Sequence, residues 1–322
     1  MHISDEDIVA RVTAGEPRAI ARLITLVENR VPRGRTILAR LFSRTGRAQV
    51  IGVTGSPGAG KSTLVDQLAL VLHKQGKRVA ILAIDPTSPF SGGAVLGDRI
   101  RMSAVAEHAA IFIRSMATRG SLGGTSRATL DAVRVLDAAG FDFIFVETVG
   151  VGQAEVDIIK TADSCLVVLV PGMGDSVQAI KAGILEIADL FIINKADRDG
   201  ADMLQKDLRV LLSLAEYGPT DWEPPILRTV ATTGSGAAEV IVEAVRHGDW
   251  LKTTQEGRKR KLRMLKESII NMASGLLLER MLSATEATLD QKVLECFEHK
   301  TDPFSAVEYL VEALQSRTIK PL

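Results

Sequence analysis

Gly55-Ser56-Pro57-Gly58-Ala59-Gly60-Lys61-Ser62 fits the pattern G-x-x-x-x-G-K-[ST]. Val50-Ile51-Gly52-Val53 before it reads as a buried strand, and Thr63 to Leu72 after it is apolar at helical spacing. A glycine-rich turn between a strand and a helix is what a phosphate cradle requires. The glycines let several backbone N–H groups converge on one point, and the helix adds the positive end of its dipole. Gly55, Gly58, Ala59, Gly60 and Thr63 then line the phosphates. Lys61 reaches the outer ones as a point charge, and the Ser62 hydroxyl is placed to ligate Mg²⁺.

Outward from this stretch, short apolar runs alternate with helical patterns from Ala48 to about His247. The strands are predicted at about 49–54, 79–84, 110–114, 142–147, 165–170, 190–194 and 226–230. The helices are predicted at about 61–75, 98–108, 126–139, 175–187, 199–214 and 237–247. Continuous apolar strands joined by helices imply an α/β fold, with a mostly parallel sheet covered on both faces in three α/β/α layers. Ligands of such sheets bind beyond the carboxyl ends of the strands.

Other motifs fall at those ends. Asn194-Lys195-Ala196-Asp197 closes the run Phe191-Ile192-Ile193 and has the form N-K-x-D. The Asp197 carboxylate could accept two N–H bonds from guanine N1 and N2, which adenine cannot offer, while Asn194 and Lys195 brace the loop and the ring. A site built on such bonds rejects the wrong base strongly. The plainer alternative makes Asp197 a helix cap. Ala231-Thr232-Thr233-Gly234-Ser235-Gly236 stands where backbone contacts to guanine are expected, with Thr232 the candidate. Together these motifs predict binding of GTP and GDP.

Phe143-Ile144-Phe145-Val146-Glu147-Thr148-Val149-Gly150 is an apolar strand ending in a carboxylate, with glycine three residues on. Glu147 could hold Mg²⁺ directly or through water, and the Gly150 N–H could sense the γ-phosphate. Gln153 is a candidate for orienting water, at an offset that differs from the Ras pattern. Asp85 and Asp98 could add carboxylates to the metal, or could serve as a turn residue and a helix cap.

Composition narrows the function classes. The 322 residues carry 39 basic and 39 acidic side chains, so no global charge favours nucleic acid or an anionic membrane. Aromatics are 4% of the chain, which argues against base-stacking platforms. The two cysteines, Cys165 and Cys296, form no metal-binding cluster with histidine, and Cys165 reads as core filler. No apolar run approaches the length of a membrane span, and the acidic start Met1-His2-Ile3-Ser4-Asp5-Glu6-Asp7 lacks a signal-peptide core. A cytoplasmic location is the expectation.

Helical extensions flank the sheet, giving three predicted segments: 1–46, a GTPase domain over 47–250, and 251–322. In the first, Ser4 to Asp7 suits a capping box, Glu16-Pro17 opens a second helix, and Arg33 to Phe42 suggests a third. The last segment begins with the basic run Arg258-Lys259-Arg260-Lys261. Leu262, Leu265, Ile269, Met272 and Leu276 then recur at three- and four-residue spacing. Further helices are predicted from about Glu286 to Phe297 and after Asp302-Pro303 to about Leu314. Such an arm needs a surface on which to bury its stripe, either its own N-terminal helices or, as expected here, a second subunit in a homodimer.

The chain resembles the MeaB/ArgK family of P-loop GTPases. The resemblance is carried by the phosphate loop, Asp85-Pro86-Thr87-Ser88-Pro89 and Leu96-Gly97-Asp98-Arg99-Ile100-Arg101-Met102. It continues through Glu147-Thr148-Val149-Gly150-Val151-Gly152-Gln153, Pro171-Gly172-Met173-Gly174-Asp175, Gln178-Ala179-Ile180-Lys181 and Asn194-Lys195-Ala196-Asp197. It implies a P-loop NTPase fold and a GTPase chaperone that gates adenosylcobalamin delivery to an acyl-CoA mutase, most often methylmalonyl-CoA mutase, and protects it. It assigns Lys61 and Ser62 to phosphate and Mg²⁺, with Lys61 and Glu147 as the catalytic pair. It makes Asp85, Asp98 and Glu147 the metal and switch carboxylates. Asp175, Gln178 and Lys181 belong by this resemblance to a further switch coupled to the partner, and the C-terminal helices to a dimer. Arg99, Arg101, Arg114 and Arg119 are candidates for an arginine finger, and each could equally be a surface or salt-bridge residue. The alternative is a metal-insertion GTPase of the hydrogenase or urease maturation type, which needs Cys/His ligands that this sequence does not cluster.

Overall fold

The computed structural model describes residues 3–86, 111–118, 124–148, 162–172 and 187–318. Seven strands form one parallel sheet: β1 (Gln49–Gly55), β2 (Val79–Pro86), β3 (Ile111–Thr118), β4 (Phe143–Thr148), β5 (Ser164–Leu169), β6 (Leu190–Asn194) and β7 (Ile226–Thr229). Their order is β3-β2-β4-β1-β5-β6-β7, and every pairing is parallel. The order reverses about β1, with β2, β3 and β4 on one side and β5, β6 and β7 on the other. That reversal opens a crevice at the carboxyl end of β1.

Alternation along each strand sends side chains into two separate cores. Ile51 and Val53 of β1, with Leu190 and Ile192 of β6, pack beneath α4 (Lys61–Lys74) and the helix Ala237–Thr253. Val50, Phe191 and Ile193 face the other way, toward the helices Gly124–Ala138 and Ala201–Leu212. In chain order these are α5 (Gly124–Ala138), α6 (Ala201–Leu212) and α7 (Ala237–Thr253). Strands buried on both faces explain why their sequences are apolar runs rather than alternating ones.

Three helices precede the sheet: α1 (Asp5–Thr13), α2 (Pro17–Glu28) and α3 (Pro32–Leu41). The Ser4 hydroxyl accepts from the Asp7 N–H at 3.1 Å and caps α1, and prolines open α2 and α3. Ile20, Leu23 and Ile24 of α2 join the core that α5 shares. The arginines of this region are mostly tethered. Arg33 pairs with Asp5 at 2.7 Å and Arg40 with Glu6 at 2.6 Å.

Helix α8 (Gln255–Phe297) follows α7, and α9 (Pro303–Thr318) ends the described chain. The chain divides into two compact units, Met1–Arg263 and Met264–Leu322. In the second unit the helix is interrupted at Thr285, whose φ of −125° is not helical and whose hydroxyl bonds back to the Met281 carbonyl at 2.7 Å. The expected break before Glu286 is therefore a kink within one element. Thr285, Ala306 and Leu310 are buried in this unit, and the Lys292 ammonium lies 4.5 Å from the Tyr309 ring centroid. Ile269, Ile270, Leu277, Leu278, Phe297 and Phe304 are exposed.

The seven strands stand within a few residues of their predicted places. β3 runs four residues further than expected, to Thr118, and α7 continues to Thr253. The helices predicted at 98–108 and 175–187 lie outside the described residues, apart from Ile187. No helix among the described residues is long and apolar enough to cross a membrane.

Candidate functional site

β1 ends at Gly55 with φ +138°, and a Cβ there would sit 2.1 Å from the Val168 carbonyl oxygen on β5. Only glycine lets the loop leave the sheet so close to a neighbouring strand. Gly60, at φ +86°, would bring a Cβ within 2.5 Å of the Asn194 amide nitrogen. Lys61 is the first residue of α4. Its ammonium folds back over the loop and donates to the Gly55 carbonyl at 2.6 Å and the Ser56 carbonyl at 3.1 Å.

The Ser62 hydroxyl donates to Glu147 Oε1 at 2.5 Å. Glu147 is buried near the carboxyl end of β4, in register with Val53 of β1. A hydroxyl and a carboxylate meeting at the phosphate loop form a hard oxygen pair, the donor chemistry that Mg²⁺ takes. Thr148 and Thr54, one position beyond on each strand, are buried and share a hydroxyl–hydroxyl bond of 3.3 Å. Asp85 lies near the end of β2, opposite Ala117 of β3. Its side chain is outside the description, as are Asp98, Gly150, Gln153, Asp175, Gln178 and Lys181.

The base-reading motif is joined to the phosphate loop directly. Asn194 ends β6 and is buried. Its amide nitrogen donates to the Ala59 carbonyl at 2.8 Å. Its oxygen accepts from the Thr229 hydroxyl and the Ala231 N–H, both at 3.1 Å. Lys195, at φ +55°, stretches its ammonium to the Gly58 carbonyl at 2.8 Å. Asp197 and Thr232 are exposed beside these anchors, as is Thr63. The loop carrying Thr232 is closed by a bridge between Val230 and Ser235. The structure therefore gathers Gly55, Gly58, Ala59, Gly60, Lys61, Ser62, Glu147, Asn194 and Lys195 at one end of the sheet.

Arg114 is not available as an arginine finger. It lies within β3, where its guanidinium bonds Glu28 at 3.2 Å and the Thr25 hydroxyl at 3.1 Å, tying the edge strand to α2. Arg99, Arg101 and Arg119 lie outside the described residues.

Sequence motifs gave no sign of a second polar cluster at the opposite, amino-terminal end of the sheet. Asp189, just before β6, takes both guanidinium nitrogens of Arg260, at 2.5 and 2.8 Å, and the Cys165 N–H at 2.8 Å. His247 Nδ1 lies 2.8 Å from the Ser164 hydroxyl, and its Nε2 lies 3.5 Å from Asp189. The serine–histidine–aspartate sequence of contacts resembles a nucleophile and its base. Ser164 and His247 are both 0% exposed, however, so no substrate reaches them. Burial holds the imidazole neutral and lowers its pKa to about 4, against the opposing pull of the Asp189 charge. Burial likewise pushes the Cys165 thiol up, in keeping with an inert core residue. Among the described residues, no group of three or more His, Cys, Asp or Glu side chains could hold a metal ion.

The comparisons agree on what this geometry belongs to. A family model described as Methylmalonyl Co-A mutase-associated GTPase MeaB matches residues 20–286. A protein of Pyrococcus horikoshii is 44% identical over 314 residues, covering 97% of this chain and 99% of its own length. GTPase ArgK of Escherichia coli is 37% identical over 243 residues, 72% of each protein. Among solved structures, the crystal structure of a LAO/AO transport system kinase matches at TM-score 0.71 and 25% identity, covering 97% of both chains. A phosphate loop braced by an N-K-x-D strand, with relatives of this kind along nearly its whole length, places the chain in the MeaB family of guanine-nucleotide-binding P-loop GTPases.

Proposed function

We propose that this GTPase is a nucleotide-timed chaperone for an adenosylcobalamin-dependent acyl-CoA mutase, methylmalonyl-CoA mutase in the first instance. It gates cofactor delivery and protects the mutase from inactivation. The family description, which names a mutase-associated GTPase, supports the partner. The observation that carries the nucleotide reading is the Asn194 anchor. One side chain fixes the phosphate loop at Ala59 and the base-side loop at Ala231, so phosphate and base are read by a single rigid unit.

In this reading Lys61 exchanges its two backbone carbonyls for the β- and γ-phosphates. Asp197 accepts from guanine N1 and N2, and Thr232 lies on the loop along the base. Ser62 and Glu147 hold Mg²⁺, with Asp85 and Asp98 as further carboxylates, and the bound cation neutralises charge on the phosphates. The Gly150 N–H senses the γ-phosphate, and Gln153, Asp175, Gln178 and Lys181 carry nucleotide state to the mutase. Hydrolysis is slow until the partner stimulates it, with Arg99, Arg101 and Arg119 the remaining finger candidates. The exposed apolar residues of the second unit bury against a second copy of the chain, giving a homodimer that acts in the cytoplasm.

Calorimetry with GDP, a non-hydrolysable GTP analogue and ATP, on wild type and Asp197→Ala, tests the base reading. Guanine binding lost in the variant supports it, and equal ATP binding overturns it. Pull-down of purified methylmalonyl-CoA mutase with each nucleotide tests the partner. Retention that is absent in every nucleotide state would sink the chaperone role.

A further inference from the structure

The crevice between β1 and β4 opens at one identifiable step. The two strands pair from Gln49 with Phe143 to Val53 with Glu147, and the pairing stops there. Beyond that step β1 continues against β5, with Thr54 opposite Val167 and Gly55 opposite Val168. β4 continues against β2, with Thr148 opposite Ile84. The sheet parts into two halves at this point. One leads into the phosphate loop and the other carries Glu147.

Thr54 and Thr148 are the first residues past the last pair, and their hydroxyls meet at 3.3 Å. Both are sealed, at 0% and 2% exposure. Strand alternation puts them on the face away from α4, with Val50, Ile84, Val146 and Val167. Those neighbours are apolar, so valine at both positions would pack there without burying a polar atom. What the hydroxyl pair adds is direction and closeness. Two methyl groups in contact stand about 3.5–4.0 Å apart, further than these two oxygens. The pair draws β1 and β4 together where their backbones stop doing so. Glu147, the neighbour of Thr148, points to the opposite face, and its carboxylate takes the Ser62 hydroxyl at 2.5 Å.

We infer that Thr54 and Thr148 are positioning residues for the divalent cation of the nucleotide. Their hydroxyl pair fixes the end of β4 against β1, and so holds the Glu147 carboxylate at the Ser62 hydroxyl. This rests on the reading of Ser62 and Glu147 as the cation's protein contacts. Mg²⁺ demands near-ideal octahedral geometry, so a shift of roughly half an ångström in one contact reaches its affinity. Groups that orient metal ligands are worth roughly 10–100-fold in binding. The threonines themselves touch neither nucleotide nor cation. The phosphate loop keeps its other supports, the Asn194–Ala59 bond and the pairing of Gly55 with β5, so binding of the bare nucleotide is spared.

The test uses the full chain as wild type, Thr54→Val, Thr148→Val, Thr148→Ser, the Thr54→Val/Thr148→Val double variant and Glu147→Gln. Thermal midpoints are recorded, with single-turnover GTP hydrolysis and affinity for a fluorescent GDP analogue, in saturating Mg²⁺ and with the cation chelated. Each single valine variant is expected to lower the midpoint, because one buried hydroxyl loses its partner. The double variant restores it, because both hydroxyls are gone. The double variant is nonetheless expected to cut the Mg²⁺-dependent gain in affinity at least about tenfold, and to slow hydrolysis with it. Its Mg²⁺-free affinity stays at the wild-type level, and Thr148→Ser, which keeps the hydroxyl, retains most of the gain. If the double variant keeps the wild-type gain and rate while Glu147→Gln loses the gain, the pair serves the fold alone and only this inference falls. If Glu147→Gln keeps the gain, the cation is held elsewhere and both readings fall. Mg²⁺-free affinity that drops in step with the Mg²⁺-bound affinity in the double variant shows a general loosening of the site, and also overturns the positioning role.

Discussion

Asn194 and Ala59 stand 135 residues apart in the chain and are joined by a hydrogen bond of 2.8 Å. The bond makes the end of β6 a wall of the phosphate loop. Removing it disturbs both halves of the nucleotide site, because the same side chain also holds the Thr229 hydroxyl and the Ala231 N–H. Asn194→Ala leaves the Ala231 N–H without its acceptor in a buried place, a loss of about 1–3 kcal/mol in stability. Urea denaturation of wild type and variant checks the stability. GDP titration checks the site, where weaker binding of both GDP and inorganic pyrophosphate is expected.

Asp197→Asn tests base recognition in a way that simple loss of function does not. The amide keeps an acceptor for N1 and offers a donor where guanine also has one. Xanthine, which carries a carbonyl in place of the exocyclic amine, matches that donor. The variant is expected to lose GDP affinity by about tenfold or more and to gain affinity for xanthosine diphosphate. Competition between the two nucleotides reads the change directly.

Lys61→Ala removes the ammonium that folds over the phosphate loop. Phosphate release from GTP is expected to fall by more than about a hundredfold, the scale of losing one group preorganised on transition-state charge. Turnover that persists in the variant would assign it to another protein in the preparation.

His247 sets an acid limit on stability. Its folded pKa of about 4 lies below the 6.5 of an exposed imidazole, because burial disfavours the charged form. The stabilisation from this group is complete above pH 6.5. It is lost as pH falls from 6.5 toward 4, where the unfolded chain takes up a proton that the folded chain refuses. Over that window the loss is about 3 kcal/mol. Thermal midpoints of wild type and His247→Asn between pH 7 and 4.5 should converge as pH falls.

The Asp189–Arg260 clamp fixes the first turns of α8 to the start of β6. Arg260→Leu leaves a buried carboxylate without its cation and is expected to cost about 3 kcal/mol or more. Pairing it with Asp189→Leu should recover most of that loss, because the double change removes both charges together. A double-mutant cycle in urea measures the coupling.

How much of this was legible in the sequence follows from which interactions are local. The phosphate loop could be read because its strand, glycines and helix are contiguous, and the N-K-x-D turn because it ends an apolar run. The seven strands were legible because burial on both faces makes each a continuous apolar stretch. The Asn194–Ala59 bond was not, since no spacing within either motif reports that the two loops touch. The Asp189, Arg260, His247 and Ser164 cluster was equally hidden. Its members come from the starts of two neighbouring strands, β5 and β6, and from two helices, α7 and α8, and each is an ordinary residue in its own neighbourhood. Arg114 was legible only as two alternatives, a finger or a salt-bridge residue. The choice between them, its pairing with Glu28, depends on α2 lying beside the edge strand.

The chain's two tryptophans, Trp222 and Trp250, both lie against His247, with ring centroids 4.7 and 5.5 Å away. The Trp222 ring nitrogen donates to the Asp189 carbonyl, at the start of the strand whose far end carries Asn194. Intrinsic tryptophan emission from this protein is therefore a local gauge of the amino-terminal edge of the sheet. It follows the loosening of that edge on denaturation or on protonation of His247, and it stays dark to a nucleotide arriving at the opposite edge unless β6 itself moves.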